Sequence, residues 1–251
     1  MYAVVIYHWK EQKPEMIRAV AGDLGITEYE VQQRMIGGSP VVLACFADPH
    51  QAEALSDTLK SHDMQVMIID IDAFQRRTGR FVVRWFAFGP SALRIKLEDG
   101  RGGEIPYEKI GVILTGLSTT RNTETTTESR RKFSLGRTIV AGGIPMSKKV
   151  TNQKKTESIS QRKVIYLFIH DRMPLVFLQD TLVWDGLGEK MKLSREQNFA
   201  FLTSELRRHC PGAMWDDRLL KRFAQVRLLG PTLNPDTYLD LAAAILARTL
   251  R

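Results

Sequence analysis

The sequence predicts an α+β protein, in which a small β-α-α-β-α-β domain is followed by an antiparallel, barrel-like β-domain with C-terminal helices. Within residues 1–76, β-branched and aromatic runs alternate with segments whose apolar residues recur at helical spacing. From residue 77 onward, short apolar runs are separated by glycine-containing turns, which is typical of antiparallel strands. We therefore expect one domain at 1–76, a second at 77–227 and a C-terminal helix at 228–251.

The first domain is predicted to contain three helices and three strands, the strands at 2–7, 40–46 and 65–70. Pro14 suits the first turn of the first helix. Thr27 and Glu30 can form a capping box for the second helix, because the threonine oxygen accepts from a helical amide and the glutamate reaches back to the cap amide. Asp48 followed by Pro49 indicates the start of the third helix.

This element order resembles the C-terminal domain of the ribosomal stalk protein and the protease adaptor ClpS, which share one small fold. The stretches that carry the resemblance are 13–20, 27–40 and 48–55, together about 70 residues with their connections. Both relatives recognise proteins, so the resemblance implies a protein-interaction module.

The binding residues of these relatives have few counterparts in this chain. The stalk domain presents lysines on its helical hairpin, where this sequence has Gln32 and Gln33, with Arg18 as the one basic match. The ClpS pocket uses an Asn-Asp pair and a histidine, where this sequence has His8-Trp9 and Gly37-Gly38. The resemblance therefore predicts neither an elongation-factor site nor a pocket for N-terminal degradation signals.

The second domain is predicted to contain strands at 81–88, 92–97, 110–114, 164–169 and 175–178. Ser194 and Gln197 form a capping box for a helix that ends at Pro211. A meander of strands closed by one amphipathic helix resembles a pleckstrin-homology-like barrel. A final helix is expected to begin at Asn234 and Pro235.

The positive charge of the chain is concentrated in residues 118–163. This segment holds eleven basic and three acidic residues, and the rest of the chain has equal numbers of both, so the formal net charge of +8 arises here. Because it lacks a sustained period and is rich in Thr, Ser, Lys and Arg, we expect a mobile insertion. The candidate binding residues of this basic insertion are Arg130, Arg131, Lys132, Lys148, Lys149, Lys154 and Lys155.

The sequence has no pattern that predicts an enzyme, a metal site or a bound cofactor. The five histidines lack the three-to-five-residue spacing of a zinc site. Cys45 lies in an apolar strand and Cys210 beside His209 at the end of a predicted helix, so we expect both thiols to pack in the core. With two cysteines, and neither a signal peptide nor an 18-residue apolar run, we expect a cytoplasmic protein.

The favoured function is therefore a non-enzymatic protein-interaction adaptor or scaffold with an unidentified protein partner. Trp9 and Arg18 are its candidate protein contacts, although packing of Trp9 against the helical hairpin is the alternative for that side chain. Two further partners are open: nucleic acid, through phosphate contacts of the basic insertion, and an anionic membrane surface, with the more apolar 133–146 entering the interface.

Overall fold

The computed structural model describes residues 1–9, 13–36, 38–77, 81–133, 147–169 and 174–250, with the side chains of all of these except 120–133 and 147–159. The helices are α1 (Pro14–Leu24), α2 (Glu28–Met35), α3 (Pro49–Ser61), α4 (Ile71–Arg77), α5 (Arg195–His209), α6 (Arg222–Leu229) and α7 (Pro235–Thr249). The strands are β1 (Tyr2–Tyr7), β2 (Val41–Phe46), β3 (Gln65–Asp70), β4 (Phe81–Phe88), β5 (Ala92–Leu97), β6 (Gly102–Pro106), β7 (Ile110–Phe133), β8 (Ser147–Ile169), β9 (Leu175–Leu178) and β10 (Met214–Asp216). Short 3₁₀ helices lie at Tyr107–Lys109, Asp185–Lys190 and Arg218–Leu220. None of the helices described is both long and apolar enough to cross a membrane.

The mixed α/β class and the predicted β-α-α-β-α-β order of the first part are confirmed. β1 lies at the centre of a three-stranded sheet, with antiparallel neighbours β2 and β3. Thr27 accepts a hydrogen bond from the Glu30 amide, and the Glu30 carboxylate accepts one from the Thr27 amide, so the predicted capping box is present. Asp48 caps α3 by accepting from the His50 amide.

The second sheet has seven strands in the order β10-β7-β8-β9-β4-β5-β6. The predicted strands are present, and β4, β5 and β6 form the expected antiparallel meander. The meander continues through β7, β8 and β9, with β8 and β9 antiparallel. Its expected continuity from β6 to β7 is wrong, because β4 pairs in parallel with β9 and β7 has β8 and β10 as neighbours. In the part of the chain described, β10 and β6 end the strand order and the sheet is open, so the closed barrel stays a prediction.

The predicted basic insertion contains long strands, which the sequence pattern did not indicate. β7 continues to Phe133 and β8 begins at Ser147, and the two strands are hydrogen-bonded neighbours. Residues 119–161 form a compact unit of their own, separate from the unit of 1–118 and 162–251. Alternating Thr, Ser and charged residues pair as strands without the apolar runs that our strand criteria require. The expected mobility remains a prediction, and residues 134–146 lie outside the described part.

The larger unit is built in layers around the helix pair α6–α7. Along β1, Ala3 and Val5 belong to the same apolar cluster as α7, whereas Val4 and Ile6 pack with α1–α3. The same alternation runs along β8, where Tyr166 packs with the α7 cluster and Leu167 packs with α5. Because strand side chains alternate between faces, each sheet has one face towards α6–α7. The layers are therefore α1–α3, the small sheet, α6–α7, the large sheet and α5.

Two contacts hold α6 in this central layer. The buried Gln225 amide donates to the Leu117 carbonyl oxygen at 2.8 Å and to the Leu219 carbonyl oxygen at 2.5 Å. After α6, Gly230 has φ +67°, and a Cβ atom there would lie 2.4 Å from the Val42 carbonyl oxygen. Glycine is therefore required at this position, both for the backbone conformation and for the close approach of α6 to β2.

We predict opposite effects for alanine at two glycines. Gly230→Ala should destabilise the protein by more than about 1 kcal/mol, because the added Cβ requires the chain to move away from β2. Gly22→Ala is the control: a Cβ on this exposed α1 residue meets no heavy atom within 4 Å, and the change should stabilise by about 0.5–1 kcal/mol. Urea unfolding of the full chain measures both. Equal stability of the two variants would contradict the assigned packing of α6 on β2.

Candidate functional site

A groove of about 340 Å³ lies between α5 and the 3₁₀ helix that precedes α6. We call it the α5 groove. Its apolar lining includes Phe199 and Ala200 from α5, Val164 from β8 and Leu220 from the 3₁₀ helix. Arg207, Lys163 and Asp217 add charge to the lining. Thr115, Thr203 and Ser204 complete the lining, so the groove is a concavity of mixed apolar, hydroxyl and charged character.

Next to the groove, the chain exposes three large apolar residues at intervals of three. Leu220 is 38% exposed, Phe223 is 70% exposed and Val226 is 44% exposed. We call these residues the α6 face. Phe223 and Val226 share one side of α6, because residues three apart on a helix are neighbours. Exposed apolar residues are common singly, but a row beside a groove is typical of an interaction site.

The exposure of the α6 face follows from the way α6 is held. Gln225, Leu228 and Leu229 are buried against the sheets. In a helix of eight residues, burial of this side leaves Arg222, Phe223 and Val226 on the other side. The α6 face is therefore presented by a helix whose opposite side is fixed in the core.

Charged residues of both signs surround the α6 face. Residues 216–236 contain four basic and three acidic residues. Two of the four are neutralised: Arg218 by Asp216 at 2.6 Å and Arg222 by Asp236 at 2.5 Å. Lys221 and Arg227 make no ion pair with any described residue, and the Arg227 guanidinium lies 4.8 Å from the centre of the Phe223 ring. The α6 face thus combines exposed apolar area with uncompensated positive charge.

On the border of the α5 groove, Arg207 is likewise a cation that lies against an aromatic ring and makes no ion pair. Its guanidinium lies 4.8 Å from the Trp215 ring centre, and it has no carboxylate partner among the described residues. Lys163, by contrast, is paired with Glu196 at 2.8 Å, and this ion pair lowers the pKa of the Glu196 carboxyl. Arg207, Lys221 and Arg227 are therefore the cations that a partner can neutralise.

A second, larger groove of about 700 Å³ lies at the C-terminal end of α5. We call it the histidine groove. The His209 ring is stacked between Tyr107, at 4.5 Å between ring centres, and Phe88, at 5.4 Å. The Tyr107 hydroxyl donates to the Gly89 carbonyl oxygen at 2.9 Å. The aromatic residues thus hold the end of α5 against the turn between β4 and β5.

In the histidine groove, burial shifts the pKa values of His209, Cys210 and Tyr107 in the direction that favours their neutral forms. Burial and the adjacent Arg208 guanidinium lower the pKa of His209. Burial raises the pKa of the Cys210 thiol to about 11, and burial, with the Cys210 thiol second, raises the pKa of Tyr107. A protonated thiol is a poor nucleophile, so the pair does not form an activated Cys-His centre. Among the described residues, no group of three or more His, Cys, Asp or Glu could hold a metal ion.

The structure separates the two candidate protein contacts predicted from the sequence. Trp9 is half-buried and packs against the core of α1–α3, which is the packing alternative for this residue. Arg18 is exposed on α1, and its Nε lies 3.3 Å from a carboxylate oxygen of Glu28 on α2. Whether either contacts a partner stays a prediction.

The seven predicted basic residues lie on two neighbouring strands. Arg130, Arg131 and Lys132 occupy the last four positions of β7, and Lys148 and Lys149 the first three of β8. A Cβ at Gly116 on β7 would lie 3.2 Å from the Val164 side chain on β8. Gly116 lies 17 residues before the end of β7 and Val164 lies 17 residues after the start of β8, so β7 and β8 run antiparallel and their basic ends are adjacent.

The sequence interpretation missed α6 and therefore missed the α6 face. No helix was predicted between Pro211 and Asn234, because 222–229 has hardly any one-sided apolar pattern. The available signal was the run of four basic and several apolar residues without an acidic residue at 218–235. The stacking of His209 had no local signal at all, since Phe88 and Tyr107 are about a hundred residues away.

Comparison of the chain with protein-family profiles, with curated proteins and with solved structures finds no match.

We predict a stability change that depends on His209 between pH 7.5 and 5.5. Because the folded-state pKa of His209 is lowered, the unfolded chain binds a proton more readily, so folding stability falls as the pH drops below about 6.5. Thermal unfolding should show a smaller loss for His209→Gln than for the wild type, and NMR titration should place the His209 midpoint below about 6.5. His50→Gln, on exposed α3, is the control. An unchanged pH dependence in His209→Gln would contradict the lowered pKa of the partly buried imidazole.

Proposed function

We propose that this chain is a non-enzymatic protein-interaction adaptor that binds its partner with the α6 face and the α5 groove. The observation that supports this most directly is the exposure of Leu220, Phe223 and Val226 beside a partly apolar groove. A phenylalanine that is 70% exposed on a rigid helix forms a ready anchor, since buried aromatic residues supply much of the free energy of protein interfaces.

The resemblance of the first 70 residues to the ribosomal stalk domain and ClpS adds support, because both of these relatives recognise proteins. We also propose that the second domain is related in fold to pleckstrin-homology domains, which it resembles in its strands and closing helix. We also place the protein in the cytoplasm, in keeping with its free thiols Cys45 and Cys210.

The adaptor function predicts that Phe223→Ser removes specific partners. The wild-type chain is cross-linked to its partners in native lysate with nuclease present, and the captured proteins are quantified. A captured protein is then purified, and calorimetry measures its affinity for the isolated chain. Phe223→Ser should weaken binding of a purified partner at least about tenfold, because a buried aromatic anchor is lost. Tyr29→Ser is the matched control, because Tyr29 is an aromatic on α2 that is 67% exposed.

Three results would contradict the adaptor function. One is a set of captured proteins that is the same for wild type and Phe223→Ser. Another is equal loss of binding in Phe223→Ser and Tyr29→Ser. The third is a capture that disappears completely on nuclease treatment, since this would indicate that nucleic acid bridges the captured proteins.

Nucleic-acid binding is the second candidate function, favoured by the adjacent basic ends of β7 and β8. A two-stranded ribbon fits the major groove of duplex DNA, and each phosphate that a lysine or arginine neutralises releases counterions. The basic insertion has a single aromatic residue, Phe133, so base stacking on a single strand has little support. We therefore propose duplex binding through the phosphate backbone for this function.

The ribbon function predicts a steep salt dependence of duplex binding. The logarithm of the binding constant should fall linearly with the logarithm of salt concentration, with a slope of about −0.9 per phosphate contact. Changing Arg130, Arg131, Lys132, Lys148, Lys149, Lys154 and Lys155 to glutamine should flatten the slope. Fluorescence anisotropy with a labelled 20-base-pair duplex measures it, with anionic vesicles as the test of the membrane alternative. Absence of duplex binding by the wild type at low salt would exclude the ribbon function.

A further inference from the structure

We infer that the partner segment bound by the α6 face and the α5 groove is an acidic amphipathic helix. This inference rests on the adaptor function proposed above and specifies the chemistry of its partner. Three features of the described residues support it: the shape of the site, the spacing of its exposed apolar residues and the sign of its uncompensated charge.

The shape favours a protein segment over a flat surface. The α5 groove is a concavity of about 340 Å³, which is enough space for one or two inserted apolar side chains. A membrane surface would reach the protruding Phe223 but would leave the groove unfilled. A helix that lays one apolar side into a groove fills it instead.

The spacing of the apolar residues matches a helical partner. Phe223 and Val226 are three residues apart on α6, and Leu220 continues the row into the α5 groove. A partner helix offers apolar side chains at intervals of three and four, which form a stripe of similar spacing. The apolar stripe of the partner helix can therefore pack along the α6 face and extend into the α5 groove.

The uncompensated charge at the border favours an acidic partner. Arg207, Lys221 and Arg227 have no carboxylate partner among the described residues, and Asp217 is the acidic residue that lines the groove. An acidic helix would place glutamate or aspartate residues beside its apolar stripe, within reach of these three cations. Complementary charge of this kind accelerates association and rejects partners of the wrong sign. A basic helix would meet like charge at all three positions.

The test is selection of peptides by the full-length protein. A displayed library of 20-residue peptides, random in composition, is panned against the wild type, and the selected peptides are synthesised and titrated. We expect them to carry net negative charge and apolar residues at intervals of three and four. Their affinity should fall at least about tenfold with Phe223→Ser and hardly change with Tyr29→Ser.

A charge reversal provides the second measurement. Lys221→Glu with Arg227→Glu should weaken the acidic peptides at least about tenfold and shift a new selection towards basic sequences. Arg84→Glu with Arg94→Glu, on exposed positions of β4 and β5, makes the same change of net charge elsewhere and is the control. As a control for folding, the midpoint of thermal unfolding of each variant should equal that of the wild type.

Several outcomes would overturn the inference. These are a selection that yields no binder, one that yields basic or uncharged peptides, and one whose peptides bind Phe223→Ser as tightly as the wild type. Binding to anionic phosphatidylserine vesicles that is lost in Phe223→Ser would assign the site to a membrane. If these results occur while Phe223→Ser still weakens the binding of a purified protein partner, the adaptor function stands. In that case only the identification of the partner segment as an acidic helix is wrong.

Discussion

The structure depends on the burial of α6 and α7 between the inner faces of the two sheets. Ile245 and Leu246 of α7 are fully buried, in one cluster with Ala3 and Val5 of the small sheet and with Tyr166 of the large sheet. Each large aliphatic side chain buried in this way contributes about 1.5–3 kcal/mol. Without the helix pair, both sheets would expose an apolar face to water. The helix pair therefore completes the core that the two sheets share.

The same constraint produces the candidate binding surface. Gln225 and Gly230 hold one side of α6 against β7 and β2, so the other side faces outward with Phe223 and Val226 exposed. A side chain presented by a fixed helix loses little conformational entropy on binding, which favours affinity. In this protein, packing in the central layer and presentation of the α6 face are consequences of the same contacts.

The chain thus has two candidate binding surfaces with different physical chemistry. The basic ends of β7 and β8 belong to the compact unit 119–161 and would attract a polyanion through charge alone. The α6 face belongs to the larger unit and combines apolar area with three uncompensated cations. Binding through charge alone would weaken with salt, whereas binding through apolar burial would change little, so ionic strength distinguishes the two proposals experimentally.

What the sequence by itself determined was the local structure and the location of the charge. Capping residues such as Thr27 and Asp48, together with apolar periodicity, predicted α1–α3 and most strands, because these signals act within a few residues. The tertiary structure alone decided which faces meet. The Arg218 bond to the Ser39 carbonyl oxygen spans 179 positions and that of Gln225 to Leu117 spans 108. No local pattern encodes such contacts, so the parallel pairing of β4 with β9, the stacking of His209 and the exposure of Phe223 required the assembled fold.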